Sequence, residues 1–117
     1  MTDSDKGKFE LGKGYYVKYS GTNMSYKEWY EKSKAMTSSR MDGCWEAVET
    51  DCKEAIAKEK AGGTLTDEDK KLLKKNKKAI EYLTLALEGG AYRAIRKGRG
   101  NAYQVNQYLK NLSLIHI

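Results

Sequence analysis

The sequence predicts an all-α fold, a small bundle of about five helices with a short extended N-terminal segment. Three observations predict it. The 117 residues include no proline, so no position rules out a helix on that ground. The stretch Thr66 to Glu88 sorts apolar and lysine side chains onto opposite sides at 100° per residue. Capping pairs and glycine stops cut the rest into helix-sized pieces.

At 117 residues the chain suits one domain with a core of its own. With 32% charged residues and a mean hydropathy of −0.80 it has the composition of a polar-surfaced protein, and no apolar run reaches bilayer length. We divide it into a flexible arm at 1–14, a helical domain at 15–111 and a tail at 112–117. The start, MTDSDKGKFE, has no apolar stretch behind its charges, so no secretory signal is read and a cytoplasmic protein is expected. The tail reads LSLIHI. It resembles a translated sequencing adaptor, so it is expected to be non-native and the chain to be a truncated reading frame.

In the arm only Phe9 and Leu11 are apolar enough to bury. Tyr15, Tyr16, Val17 and Tyr19 form a β-branched and aromatic run closed by turn residues 20–23, which predicts a short extended segment packed on helices. Ser25 and Glu28 have capping-box spacing. The helix they open carries Tyr26, Trp29, Tyr30, Ser33 and Met36 on one face and fades at 37–39. A second helix is expected from about Asp42, with Trp45, Val48, Cys52, Ala55 and Ile56 inward and Gly62-Gly63 as its left-handed stop.

Thr66 and Asp69 are the next capping pair, and Asp67, Glu68 and Asp69 suit the positive end of the helix dipole. In this helix Leu72, Leu73, Asn76, Ala79, Ile80, Leu83 and Leu87 share one side. Lys70, Lys71, Lys74, Lys75, Lys77 and Lys78 share the other. Tyr82, Leu85 and Ala86 widen the apolar side toward the C-terminus, so the core should be centred there. Gly89-Gly90 is the expected stop. A short helix follows at 91–97 with Tyr92 and Ile95 inward, then a turn at Gly98-Arg99-Gly100, then a last helix capped by Asn101 and carrying Ala102, Val105, Tyr108 and Leu109. The expected core is Trp29, Trp45, Val48, Leu72, Leu73, Ile80, Leu83, Leu87 and Ile95.

Catalysis finds little in these residues. The sole histidine, His116, lies in the tail, and no nucleophile–base pair remains in the domain. Gly98-Arg99-Gly100 is too short for a phosphate loop. Cys44 and Cys52 are read as lying in one helix, about 12 Å apart at 1.5 Å per residue, so they are expected reduced; no zinc-like spacing accompanies them. We expect no enzyme, cofactor, metal or small-molecule substrate.

Charge is the stronger signal. Of the net +6, residues 1–69 carry −3 and residues 70–117 carry +9. The lysine run is either a solvated face or an RNA contact. Arg93, Arg96, Lys97 and Arg99 would join it if their helix folded back alongside, bringing ten cations to one surface.

The order of motifs resembles a known family. Gly21-Thr22-Asn23, Tyr26 and Trp29, then Trp45-Glu46-Ala47-Val48, are similar to the N-terminal region of copia-type retrotransposon Gag, with its G-x-N-Y-x-x-W start and second tryptophan. Ala79, Ile80, Leu83, Leu87 and Ile95 resemble that family's central helices. Ala102, Val105 and Leu109 resemble its A-x-x-x-W-x-x-L helix, with Asn106 in place of the tryptophan. Met24 and Ser25 intervene between the family's Asn and Tyr. The resemblance implies a capsid-like structural protein that self-associates around RNA without a membrane. The other reading, from charge alone, is a small nucleic-acid-binding module.

Overall fold

The computed structural model describes residues 16–115, with side chains to residue 113. It is all-α, with six α-helices among the described residues: α1 (Tyr26–Arg40), α2 (Glu46–Glu49), α3 (Lys53–Lys60), α4 (Asp67–Ala86), α5 (Arg93–Gly98) and α6 (Ala102–Ile115). A 3-10 turn at Gly89–Tyr92 precedes α5. None of these helices is long and apolar enough to cross a membrane. The expected arm at 1–14 and His116 lie outside the described residues, while α6 runs on through 112–115, into the residues assigned to the tail.

Helix starts follow the capping chemistry. Thr66 and Asp69 form a full capping box at α4, each side chain accepting from the other's backbone N–H. At α1 half of the box forms: Ser25 Oγ accepts from the Glu28 N–H at 3.1 Å, but the Glu28 carboxylate takes Lys32 at 2.8 Å instead. Asn101 caps α6 by accepting from the Tyr103 N–H at 3.1 Å. The first helix does not fade at 37–39. It continues to Arg40 because buried Thr37 donates its hydroxyl to the Ser33 carbonyl at 2.9 Å, which leaves no polar atom stranded.

The single second helix expected from Asp42 to Gly62 is two pieces, because Thr50 is extended at φ −125°, ψ 120°. Asp51 accepts from the Lys53 N–H at 3.0 Å, an Asx turn that restarts the helix. The same Asp51 oxygen also accepts from Asn101 Nδ2 at 2.9 Å, which ties the break to the start of α6. Cys44 and Cys52 therefore lie in no common helix; both are buried and free. Gly62 has the expected left-handed φ of 74°.

α4 also ends differently, at Ala86, three residues before Gly89. The cause is the extended segment at 16–20. Tyr19 donates its N–H to the Ala86 carbonyl at 2.8 Å and accepts from the Glu88 N–H at 3.0 Å, an isolated parallel bridge that draws Leu87 out of the helix. Val17, fully buried, donates its N–H to the Tyr82 hydroxyl at 2.9 Å and accepts from Trp29 Nε1 at 2.9 Å. One short segment thereby joins α1 to the far end of α4.

Aromatic rings fill the space between. Tyr19 stacks on Trp29 at 5.1 Å, Trp29 meets Trp45 edge-on at 5.8 Å, and Trp45 meets Tyr82 edge-on at 6.0 Å. Val48, Leu83, Leu87, Val105 and Leu109 close around them. Trp29, Trp45, Val48, Leu83 and Leu87 are buried, whereas Leu72, Ile80 and Ile95 are partly buried against this cluster and Leu73 is half-exposed. Two apolar residues expected inward are outside: Leu85 is 58% exposed and Tyr92 46%. In α5 the buried positions are Ala94 and Gly98. A Cβ on Gly98 would sit 2.2 Å from Val105 Cγ2, so only glycine lets α5 and α6 approach this closely.

Asn76, on the apolar side of α4, donates to the Gly100 carbonyl at 2.7 Å and accepts from the Ala102 N–H at 2.8 Å, fastening the α5–α6 turn. Tyr82 makes the corresponding connection deeper in. Its hydroxyl accepts from Val17 and donates to Ser33 Oγ at 2.7 Å. Tyr82→Phe should strand the Val17 N–H and the Ser33 hydroxyl and cost about 1–3 kcal/mol in urea unfolding. A loss below about 0.5 kcal/mol would show that these bonds do not hold the segment.

Candidate functional site

The lysine face of α4 divides in two. Lys75 pairs with Glu46 at 3.2 Å and Lys78 with Asp42, both partners in the stretch linking α1 to α2 or at the start of α2. Lys78 and Asp42 perturb one another as an ion pair should: the Asp42 carboxyl is lowered and the Lys78 ammonium raised, chiefly by their mutual hydrogen bond. Lys70, Lys71, Lys74 and Lys77 are exposed and have no ion-pair partner among the described residues. These four are the cations available to an outside polyanion.

Arg93, Arg96, Lys97 and Arg99 are also exposed. The turn carrying Arg99 is held by Asn76, which lies about 120° or more round α4 from Lys70, Lys71 and Lys74 at 100° per residue, and about 100° from Lys77. The turn that carries Arg99 is therefore set away from Lys70, Lys71 and Lys74.

A groove of about 840 Å³ lies between the start of α1, the 3-10 turn and the end of α6. Met24, Tyr26, Tyr108, Leu109 and Leu112 supply its apolar lining. Its charged lining residues, among those described, are Lys27 and Arg93. Both are exposed and neither has an ion-pair partner among the described residues. Nothing in the sequence pattern pointed here, because the walls come from three stretches far apart in the chain.

Tyr26 separates this groove from a smaller one of about 470 Å³ beside the end of α2. Its hydroxyl donates to Asn106 Oδ1 at 2.5 Å, so the asparagine that replaces the motif tryptophan is buried with a partner. Burial raises the Tyr26 phenol far above its ordinary pKa. In the smaller groove the Glu49 carboxylate accepts from Tyr30 at 2.7 Å and from Lys34 at 2.8 Å. Burial, then the bond to Glu49, pushes the Tyr30 phenol up to about 12, against a smaller opposing effect of the Trp45 indole. Trp45 Nε1 is buried without a well-formed hydrogen bond. Its nearest polar influence is on Tyr30, whose ring it meets edge-on at 5.4 Å.

Burial pushes the Cys44 thiol up to about 11 and raises Cys52 as well, which disfavours the nucleophilic thiolate. Among the described residues no group of three or more His, Cys, Asp or Glu is placed to hold a metal.

Glu49 supplies a pH prediction. Lys34 and then Tyr30 hold its carboxyl below the ordinary 4.5, so its stabilising contribution is present above that value and is lost as the pH falls through the lowered one. Its side chain is 39% exposed, which keeps the effect within about 1 kcal/mol. Glu49→Gln should melt slightly below the wild type at pH 7, with the gap closing below pH 4.5. A gap that grows in acid would contradict this assignment.

Comparison with known proteins gives no relative: no family model, no curated protein and no solved structure matches the chain.

Proposed function

We propose that the chain is a structural, self-associating helical domain of the copia-type Gag kind, a cytoplasmic shell subunit of particles that package RNA. One observation carries this reading. The apolar residues that bear the resemblance pack together: Trp29, Trp45, Ala47, Val48, Ala79, Leu83, Leu87, Ala102, Val105 and Leu109 belong to one buried cluster, with Tyr26, Ile80 and Ile95 packed against it, while Gly21, Thr22, Asn23 and Glu46 are exposed. Exposed apolar side chains, Leu85 and Tyr92, also suit a subunit that meets copies of itself.

Sedimentation velocity at rising protein concentration should show the mean mass climbing above that of the 13.3 kDa monomer, with particles in electron micrographs at the highest concentrations. A chain that stays monomeric at every concentration and forms no particles sinks the proposal.

The exposed lysines of α4 favour a second reading, a small nucleic-acid-binding module. Four phosphate contacts on single-stranded RNA predict a log–log salt slope of about −3. Replacing Lys70, Lys71, Lys74, Lys75, Lys77 and Lys78 by glutamine should abolish binding while the helical circular dichroism is kept. Unchanged RNA affinity in that variant would remove this face from consideration.

A further inference from the structure

We propose that the 840 Å³ groove receives a second copy of this chain, which inserts the C-terminal end of its α4 with Leu85 at the point of contact. The inference rests on the self-association reading and names the surfaces that meet. Leu85 is 58% exposed at the last turn of α4. Glu81 precedes it by four residues on the same helical face, and Glu88, 3.9 Å from the Lys18 ammonium, follows just past the helix end; both are exposed. The lysines begin one turn further back, at Lys78. The tip of α4 is thus an apolar side chain between two carboxylates, of which Glu81 has no ion-pair partner among the described residues and Glu88 has Lys18.

The groove is its complement. Met24, Tyr26, Tyr108 and Leu109 offer apolar surface, and the described charges at its rim are the cations Lys27 and Arg93. An apolar residue flanked by carboxylates gains both burial and opposite charge there, and cation-flanked surfaces such as the middle of α4 are repelled. Knob and groove belong to one chain at different places, so every copy both gives and receives.

Gly90 allows a clean block. It lines the groove, needs no left-handed φ, and a Cβ built on it meets nothing within 4 Å. Gly90→Phe therefore fills the groove from its lip with the fold intact, as circular dichroism and thermal melting will verify. Leu85→Ser removes the exposed knob with equally little to disturb.

Sedimentation equilibrium is the measurement. Each of these variants should weaken self-association by roughly tenfold or more, the usual effect of losing a central interface residue. Two charge reversals extend the test: Glu81→Lys with Glu88→Lys in one chain, and Lys27→Glu with Arg93→Glu in another. Each should associate poorly alone, and an equimolar mixture should associate again, since each knob then faces a groove of opposite sign. If the wild type associates while Leu85→Ser and Gly90→Phe keep its dissociation constant, this contact is wrong and self-association stands. If the mixture stays monomeric, the charge pairing is wrong. A wild type that never associates overturns both the contact and the reading beneath it.

Discussion

The hydroxyl of Tyr82 sits on α4 with no water to turn to, and what it bonds there determines how the chain closes. It accepts from Val17 and donates to Ser33, so three segments far apart in sequence must meet within a hydrogen bond's length of one atom. The same contact sets the neighbouring parts. Val17, once held, accepts from Trp29, and Tyr19 then pairs with Ala86 and Glu88. That pairing is why α4 stops at Ala86, why Leu87 is drawn inward and why the chain crosses to α5 where it does. Unpaired, each of these buried groups would cost more than a hydrogen bond usually contributes.

A second effect of this closure is the separation of surface chemistries. Asn76 pins the α5–α6 turn to one side of α4, away from Lys70, Lys71 and Lys74. Lys75 and Lys78 are taken up by the acidic residues Glu46 and Asp42, which shortens the basic face to four open cations. The groove opens where the extended segment, the 3-10 turn and α6 come together. Its apolar lining and cationic rim have no counterpart in any single helix pattern.

Much of the fold was legible in the residues. The capping box at Thr66, the left-handed stop at Gly62, the Asn101 cap and the extended run at Val17 and Tyr19 are all local chemistry, and local chemistry is readable from spacing. The break at Thr50 left a signal too, an aspartate two residues before a helical N–H, but the apolar spacing of Trp45, Val48, Cys52 and Ala55 masked it. Leu85 misled for a different reason. Amphipathic spacing says which side of a helix prefers to be buried, and only the number of neighbours says how wide the buried side is. Toward its end α4 has neighbours on the Tyr82–Leu83–Ala86 side, and Leu85 points away from them.

Sequence by itself therefore determined the helices, their caps and the sorting of apolar from charged residues, because those depend on interactions within a few residues. It also singled out Trp29, Trp45, Val48, Leu83 and Leu87 among the residues that fill the core. Tertiary structure decided which lysines stay free, where Asn106 finds a partner, why Gly98 must be glycine and that a groove exists at all. Each of those depends on a distance between segments tens of residues apart. No periodicity encodes such a distance, which is settled only when the buried polar atoms of Tyr82, Asn76 and Val17 have found one another.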